Sequence, residues 1–171
     1  MEKTELAQRF LAWPDNTVCP LAGLLLTAEP AGLCRIDFVG KEARLPEVEN
    51  SQTPILAMAT DQLLEYMAGR RQSFTVPLRP GGTAFQQRVW QAMMAIPYGS
   101  TRSYGEIAAG LGNIHQARAV GQAANRNNLP IIIPCHRVIG SAGKLVGFAA
   151  GLNTKEFLLE LEGWPGLGNP R

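Results

Sequence analysis

Between residues 23 and 39 the apolar positions come in strand-length runs. GLLLTAE (23–29) and LCRIDFV (33–39) flank Pro30-Ala31-Gly32, whose proline and glycine mark a turn. In the second run Cys34, Ile36 and Phe38 alternate with Arg35 and Asp37, a period of two that places Cys34 on the inward, apolar face. The first 40 residues therefore read as β structure. Residues 41–53 (KEARLPEVENSQT) are polar and unpatterned, a loop. The period then lengthens. Leu56, Ala59, Leu63 and Met67 form a helical stripe, Pro54 suits the first helical position, and Gly69 can end the helix. Phe74, Val76 and Leu78 alternate again as a short strand. Arg79-Pro80-Gly81-Gly82 is the best linker candidate, giving domains of residues 1–80 and 81–171.

The second half carries repeated helix-start signals. Thr83-x-x-Gln86 and Ser103-x-x-Glu106 fit the capping box, and Asn153-x-x-Glu156 is a looser variant. After the first box, Phe85, Val89, Met93 and Ile96 face one way until Pro97-Tyr98-Gly99 stops the helix. After the second, a short helix runs from Tyr104 to Leu111 and ends at Gly112; Asn113 restarts a helix through about Ala124. Two short helices joined by a glycine-containing turn outline a helix-turn-helix. Its second helix is unusual for a reader of DNA bases, which commonly carries several long polar side chains. Here Arg118 stands among Ala117, Ala119, Gly121, Ala123 and Ala124. Small residues suit close approach, either to a protein core or to the narrow minor groove.

Composition narrows the class. The chain is 46% hydrophobic and 18% charged, an ordinary globular balance, and its 171 residues can bury a core without staples. Cys19, Cys34 and Cys135 are an odd number without a CxxC pair. The opening MEKTELAQRF lacks the apolar core of a secretory leader, and no apolar run approaches the roughly 20 residues of a membrane span. These points predict free thiols in a reducing cytoplasm and no membrane partner. Cys19 and Cys34 read as structural. A net charge of +2 permits nucleic-acid binding without demanding it.

The candidate chemistry lies in IIIPCHRVIG (131–140), where an apolar run carries adjacent Cys135 and His136. The isoleucines read as a buried strand that holds Cys135 rigid, with Pro134 as the turn that presents it. A thiol becomes nucleophilic when a base or a positive charge favours its thiolate. Neighbours on a strand point to opposite faces, so the pair needs a turn or a bridging water to cooperate. A carboxylate on the far imidazole nitrogen would fix the tautomer, and Glu156, Glu160 and Glu162 in the last helix are the candidates. From the pattern alone, a buried structural cysteine and a Cys–His–carboxylate relay both stand.

PCHRVIG, preceded by NNLPIII and followed by GFAAGLNTKEFLLELEG, resembles the active-site signature of the O6-alkylguanine-DNA alkyltransferases. The similarity continues through GTAFQQRVWQAMMAIPYGSTRSYGEIAAGLG and ARAVGQAANRNN, closely over about residues 80–163 and more loosely before them. The resemblance implies an α/β (α+β) fold. A small N-terminal antiparallel sheet with a helix, ribonuclease H-like, would precede a mostly helical C-terminal domain with the helix-turn-helix. It implies a single-turnover methyltransferase of DNA repair that flips O6-alkylguanine out of duplex DNA and keeps the alkyl group.

Residue by residue, the resemblance makes Cys135 the alkyl acceptor and His136 the base that draws its proton through a water. Glu162 would orient His136, and Asn127 would tie the helix-turn-helix to the active-site loop. Tyr104 would hydrogen-bond the extruded guanine and crowd its 3′ phosphate. Arg118 would enter the base stack, with Ala117 and Gly121 on the minor-groove helix. Backbone groups at Cys135, Val138 and Ala149 would read the guanine edge. Phe148 and Ala149 stand where many relatives have Tyr-Ser or Tyr-Ala, which removes hydroxyls from the pocket. Some relatives hold zinc in the first domain; here Cys19 and Cys34 have no histidine beside them in that domain, so neither zinc nor another cofactor is expected. The expected partner is double-stranded DNA bound through its minor groove by a monomer. Two rival readings are a lesion-binding protein of this shape that does not transfer, and a helix-turn-helix regulator with an inert cysteine. The tail after Gly163 (WPGLGNPR) has no periodicity.

Overall fold

Three antiparallel strands, β1 (Ala7–Ala12), β2 (Leu21–Glu29) and β3 (Gly32–Gly40), make a sheet in the order β1-β2-β3. In this computed structural model residues 6–14 and 18–166 are described. The chain separates into two compact units, residues 1–81 and 82–171. In the first, helix α1 (Pro54–Met67) lies against all three strands. Its predicted stripe holds: Leu56, Ala59, Leu63 and Met67 are buried, Pro54 opens the helix, and Thr53 Oγ1 accepts the Leu56 amide. On the sheet side Leu24, Leu26, Leu33 and Ile36 are buried, each contributing about 1.5–3 kcal/mol of apolar transfer.

Two expectations in this unit are corrected. Cys34 is only partly buried, because a register shift leaves it as the extra residue between the pairs Ala28–Leu33 and Thr27–Arg35. That bulge breaks the period of two, so Leu33 and Ile36 both face inward while the Cys34 thiol donates to the Thr27 carbonyl at 3.3 Å. The segment at Phe74–Leu78 keeps its alternation but is not a strand. Among the described residues its link to the sheet is a single bridge at Leu78–Leu33, Pro77 has no amide to donate, and the Gln62 side-chain Oε1 accepts the amides of Thr75 and Val76.

The second unit is built from α2 (Ala84–Met94), α3 (Tyr104–Gly110), α4 (Ala117–Asn125) and α5 (Leu152–Leu161). Two short strands, β4 (Arg102–Ser103) and β5 (Val138–Ile139), pair in parallel. Both capping boxes form, at Thr83–Gln86 and Ser103–Glu106. Gly112 sits at φ +96° after α3, and the Asn113 side chain accepts the His115 amide, starting the turn that leads into α4. α2, α3 and α4 pack on one another around Val89, Met93, Ile107 and Val120. The predicted face of α2 omits Trp90, which is buried and donates its indole N–H to the Ala123 carbonyl at 2.8 Å. The small residues of α4 divide: Ala123 and Ala124 enter the core, whereas Ala117, Ala119 and Gly121 are half-buried beside the exposed Arg118 and Gln122.

The third helix start is corrected. Asn153 lies inside α5; Gly151, at φ +86°, is the cap and supplies no side chain. After α5, Trp164–Gly166 has no regular structure and the remainder of the tail lies outside the described residues. No helix among the described residues is long and apolar enough to cross a membrane.

Candidate active site

The stretch from Asn127 to Arg137 is a chain of turns. The Ile133 amide donates to the Leu129 carbonyl at 2.8 Å, and Ile131 is forced to φ +74°. A left-handed β-branched residue costs about 1–3 kcal/mol and persists only where its surroundings over-determine it. The predicted strand at Ile131–Ile133 is therefore corrected to a buried turn. Pro130 and Pro134 remove ladder donors from both ends, and Asn127 takes the place of a neighbouring strand. The Asn127 Nδ2 group donates to the Ile133 carbonyl at 2.7 Å and to Cys135 Sγ at 3.1 Å, while its Oδ1 accepts the Leu129 amide at 2.9 Å. Pro134, at φ −81° and ψ 65°, closes an inverse γ-turn in which the Cys135 amide donates to the Ile133 carbonyl. Cys135–Arg137 then forms a single 3-10 turn.

His136 is completely buried, and its Nε2 lies 2.7 Å from Glu162 Oε1. Its Nδ1 is buried without a hydrogen-bond partner among the described residues. Arg137 grips Glu162 with two bonds, Nε to Oε2 at 2.8 Å and Nη2 to Oε1 at 3.0 Å, and its Nη1 donates to the Ile96 carbonyl at 2.7 Å. The guanidinium also stacks over the Tyr98 ring, 5.7 Å from its centroid. The Gly99 amide donates to Glu162 Oε2 at 3.1 Å; a Cβ on Gly99 would stand 2.7 Å from the Glu162 carbonyl oxygen, so only glycine fits.

Burial alone would raise the Glu162 pKa, but the bonds from His136 and Arg137 outweigh it and bring it down to about 2. Burial lowers the His136 pKa more than Glu162 raises it, so the imidazole is neutral. A neutral ring that donates from Nε2 to a carboxylate carries its lone pair on Nδ1. Of the three candidate glutamates, Glu156 and Glu160 are exposed and Glu162 alone reaches the imidazole.

Burial raises the Cys135 pKa, partly offset by the Asn127 hydrogen bond and the Lys155 charge. Lys155 has no exposed surface; its Nζ donates to the Val138 carbonyl at 2.5 Å and the Val146 carbonyl at 2.8 Å. Burial lowers its pKa to about 8. Its ammonium lies 6.0 Å from the Tyr104 ring centroid. The Tyr104 hydroxyl donates weakly to the Val146 carbonyl at 3.4 Å, and burial followed by the nearby Cys135 raises its pKa. Gly121 of α4 backs onto that ring.

The structure thus gathers Cys135, His136, Glu162, Asn127 and Tyr104, and Val138 is buried with its carbonyl accepting from Lys155. Arg118 is exposed on α4 and Ala117 half-exposed beside it; Phe148 is half-buried and Ala149 exposed in the loop before α5. Sequence reasoning missed Arg137 and Lys155 as parts of the site. Lys155 was detectable: it shares the buried face of α5 with Leu158 and Leu159, where an unpaired lysine is rarely tolerated. All three cysteines are free, and no group of three or more His, Cys, Asp or Glu among the described residues is placed to hold a metal.

Two family models match this chain. They are the 6-O-methylguanine DNA methyltransferase DNA binding domain, over residues 84–164, and the ribonuclease-like domain of the same protein, over residues 17–80. The methylated-DNA–protein-cysteine methyltransferase of Methanosarcina acetivorans is 50% identical over 148 residues, covering 84% of this chain and 94% of its own. The chain belongs to the 6-O-methylguanine DNA methyltransferase family. Another methylated-DNA–protein-cysteine methyltransferase, from Mycobacterium leprae, is 58% identical over 147 residues, 84% of this chain and 87% of its own. Within the family, the crystal structure of Mycobacterium tuberculosis OGT in complex with DNA matches with a TM-score of 0.77 and 42% identity, covering 91% of this chain and 92% of that one. The α/β fold and the activity are the family's: direct-reversal DNA repair by alkyl transfer to a protein cysteine.

Proposed function

We propose that Cys135 is the acceptor, and that this chain repairs O6-alkylguanine by moving the alkyl group irreversibly onto that thiol in a single turnover. The observation that carries the reading is the setting of Cys135: its sulfur is held by Asn127 at 3.1 Å, next to a neutral His136 oriented by Glu162 at 2.7 Å. The thiol proton leaves to His136 Nδ1 through a water, and Glu162 stabilises the imidazolium. The sulfur then attacks the alkyl carbon in line. The S–C bond forms, the C–O bond breaks, and its electron pair passes to guanine, which gains a proton. Charge developing on the ring is stabilised by the Tyr104 hydroxyl and by backbone N–H groups near Ala149. Phe148 and Ala149 provide no hydroxyl for the leaving oxygen, which lowers the rate without abolishing transfer.

The target carbon is buried in the duplex, so the nucleotide must be flipped out first. The half-exposed Ala117 and Gly121 let α4 enter the minor groove, and the exposed Arg118 fills the gap left in the stack. The protein acts as a monomer, with no metal or cofactor, and its free thiols suit a reducing cytoplasm.

The test is incubation with a duplex containing O6-methylguanine, followed by intact-mass measurement. The reading requires one added methyl group and restored guanine in the DNA. A Cys135→Ser variant should bind the lesion and gain no methyl. Wild-type protein that binds the lesion unmodified would instead be a non-transferring recogniser, and one without lesion preference a helix-turn-helix regulator.

A further inference from the structure

Away from the thiol, the second unit carries an open cleft of about 920 Å³. Gly82, Thr83, Gln86 and Trp90 line one side, and Gln122, Asn125, Arg126 and Asn128 the other. No carboxylate is among these residues. Gly82 stands against the Trp90 indole so closely that an ideal Cβ would lie 2.6 Å from the ring, and Trp90 Nε1 is already committed to the Ala123 carbonyl. The floor is thus fixed, and Thr83 and Gln86 are committed to the capping box of α2, while part of the α4 wall faces solvent. Among the described residues, the side chains of Gln122, Asn125 and Arg126 make no hydrogen bond or ion pair, and all three residues are exposed.

These side chains continue a line that begins at the lesion-facing end of α4. Arg118, Gln122, Asn125 and Arg126 occupy positions i, i+4, i+7 and i+8, one face of a helix. Val120, Ala123 and Ala124 take the opposite, buried face. At a rise of about 1.5 Å per residue, Arg126 lies about 12 Å along the axis from Arg118. That exceeds the roughly 6 Å width of the minor groove. A helix crossing the groove with Arg118 in the base stack therefore carries Arg126 beyond it, over the sugar-phosphate backbone.

We propose that this cleft is a second DNA contact, seating a backbone phosphodiester that flanks the lesion on Arg126, with Gln122 and Asn125 donating to its oxygens. The inference rests on the proposed function above. A cleft lined by amides and one unpaired guanidinium, without acid, offers donors to an anion that already carries acceptors on every face. Such a contact carries no sequence or lesion information. It adds affinity equally for damaged and undamaged duplex, and its loss registers in the salt dependence.

The experiment measures Kd for an O6-methylguanine duplex and the matching undamaged duplex over a salt series, with the full chain. Arg126→Ala should weaken both by the same factor, on the order of 5-fold at 0.15 M salt, and reduce the salt slope by about 0.9, the share of one phosphate. Arg126→Lys should restore the slope. Because Arg126 adjoins Asn127, a gain-of-contact variant guards against a folding defect: Gln122→Lys, on the same exposed face, should tighten both duplexes and raise the slope by about 0.9. Unchanged slopes in Arg126→Ala and Gln122→Lys would overturn the cleft as a phosphate seat. So would an Arg126→Ala effect confined to the lesion duplex. If wild-type protein gains no methyl from the lesion duplex, the proposed function fails, and that result is separate from the slopes.

Discussion

The two units bury different kinds of residue. In the first, the buried polar side chains among the described residues are Thr27, Thr60 and Gln62, none of which takes up a proton in acid. In the second they are His136, Arg137, Thr154, Lys155 and Glu162, four of them ionisable. The first unit holds together by an apolar layer between sheet and helix. The second accepts the cost of desolvating charges because each has partners: Glu162 accepts from His136, Arg137 and the Gly99 amide, and Lys155 donates to two carbonyls. Buried charge of this kind adds little net stability. Its use is to hold a neutral histidine and a thiol in one fixed geometry, which is where the proposed transfer takes place.

Removing one partner from each core exposes the contrast. Glu162→Gln should destabilise the second unit by about 3–5 kcal/mol, because Arg137 is left buried without its counter-charge, and transfer should be lost with it. Leu26→Ala, in the fully buried centre of β2, should cost a comparable 2–5 kcal/mol, roughly, through its cavity. Its transfer per folded molecule should nevertheless stay near wild type. Chemical denaturation together with single-turnover repair separates the two outcomes. Equal loss of transfer at matched stability would erase the distinction.

Acid should sharpen it further. The folded-state pKa of Glu162 is depressed from 4.5 to about 2, so its stabilisation is present above 4.5 and is lost as pH falls towards 2. The His136 pKa is lowered from 6.5, so protonation at and below that pH favours the unfolded state. Both signs agree. Between pH 7 and pH 4, amide exchange should lose protection in the second unit before the first; simultaneous loss would contradict the contrast.

Smaller effects follow at the site's edge. The Cys135 pKa is raised, so the free protein holds a thiol at neutral pH. Its modification by iodoacetamide should be slow at pH 7 and accelerate as pH rises towards the thiol's pKa; rapid modification at pH 6 would show a preformed thiolate. Arg118→Ala should slow repair of duplex DNA much more than reaction with free O6-benzylguanine, since only the duplex requires a nucleotide to be held out of the stack. Equal slowing of both substrates would place Arg118 in the chemistry instead.

Much of this was legible along the chain. The α1 stripe, the two capping boxes and the Gly112 turn follow from local rules, and the structure obeys them. The misreadings share a cause. At Cys34 a bulge shifted the period, at Phe74–Leu78 a side chain, Gln62, replaced a strand partner, and at Ile131–Ile133 Asn127 did the same. Periodicity records which residues are buried and is blind to what satisfies the backbone. Likewise the pattern alone narrowed the carboxylate to three glutamates and only the family resemblance singled out Glu162, because its reach to His136 depends on where the end of α5 meets the turn after Pro134. Arg137 and Lys155 escaped notice because charge is ordinarily read as surface.

The most direct test of Cys135 as acceptor is a peptide map of the protein after reaction with an O6-methylguanine duplex. Trypsin places Cys135 alone in NNLPIIIPCHR (127–137), whereas Cys19 and Cys34 share the peptide of residues 10–35. The account predicts a single methyl group on the first peptide, absent in Cys135→Ser. A methyl group on the second peptide, or on neither while guanine is restored, would contradict it.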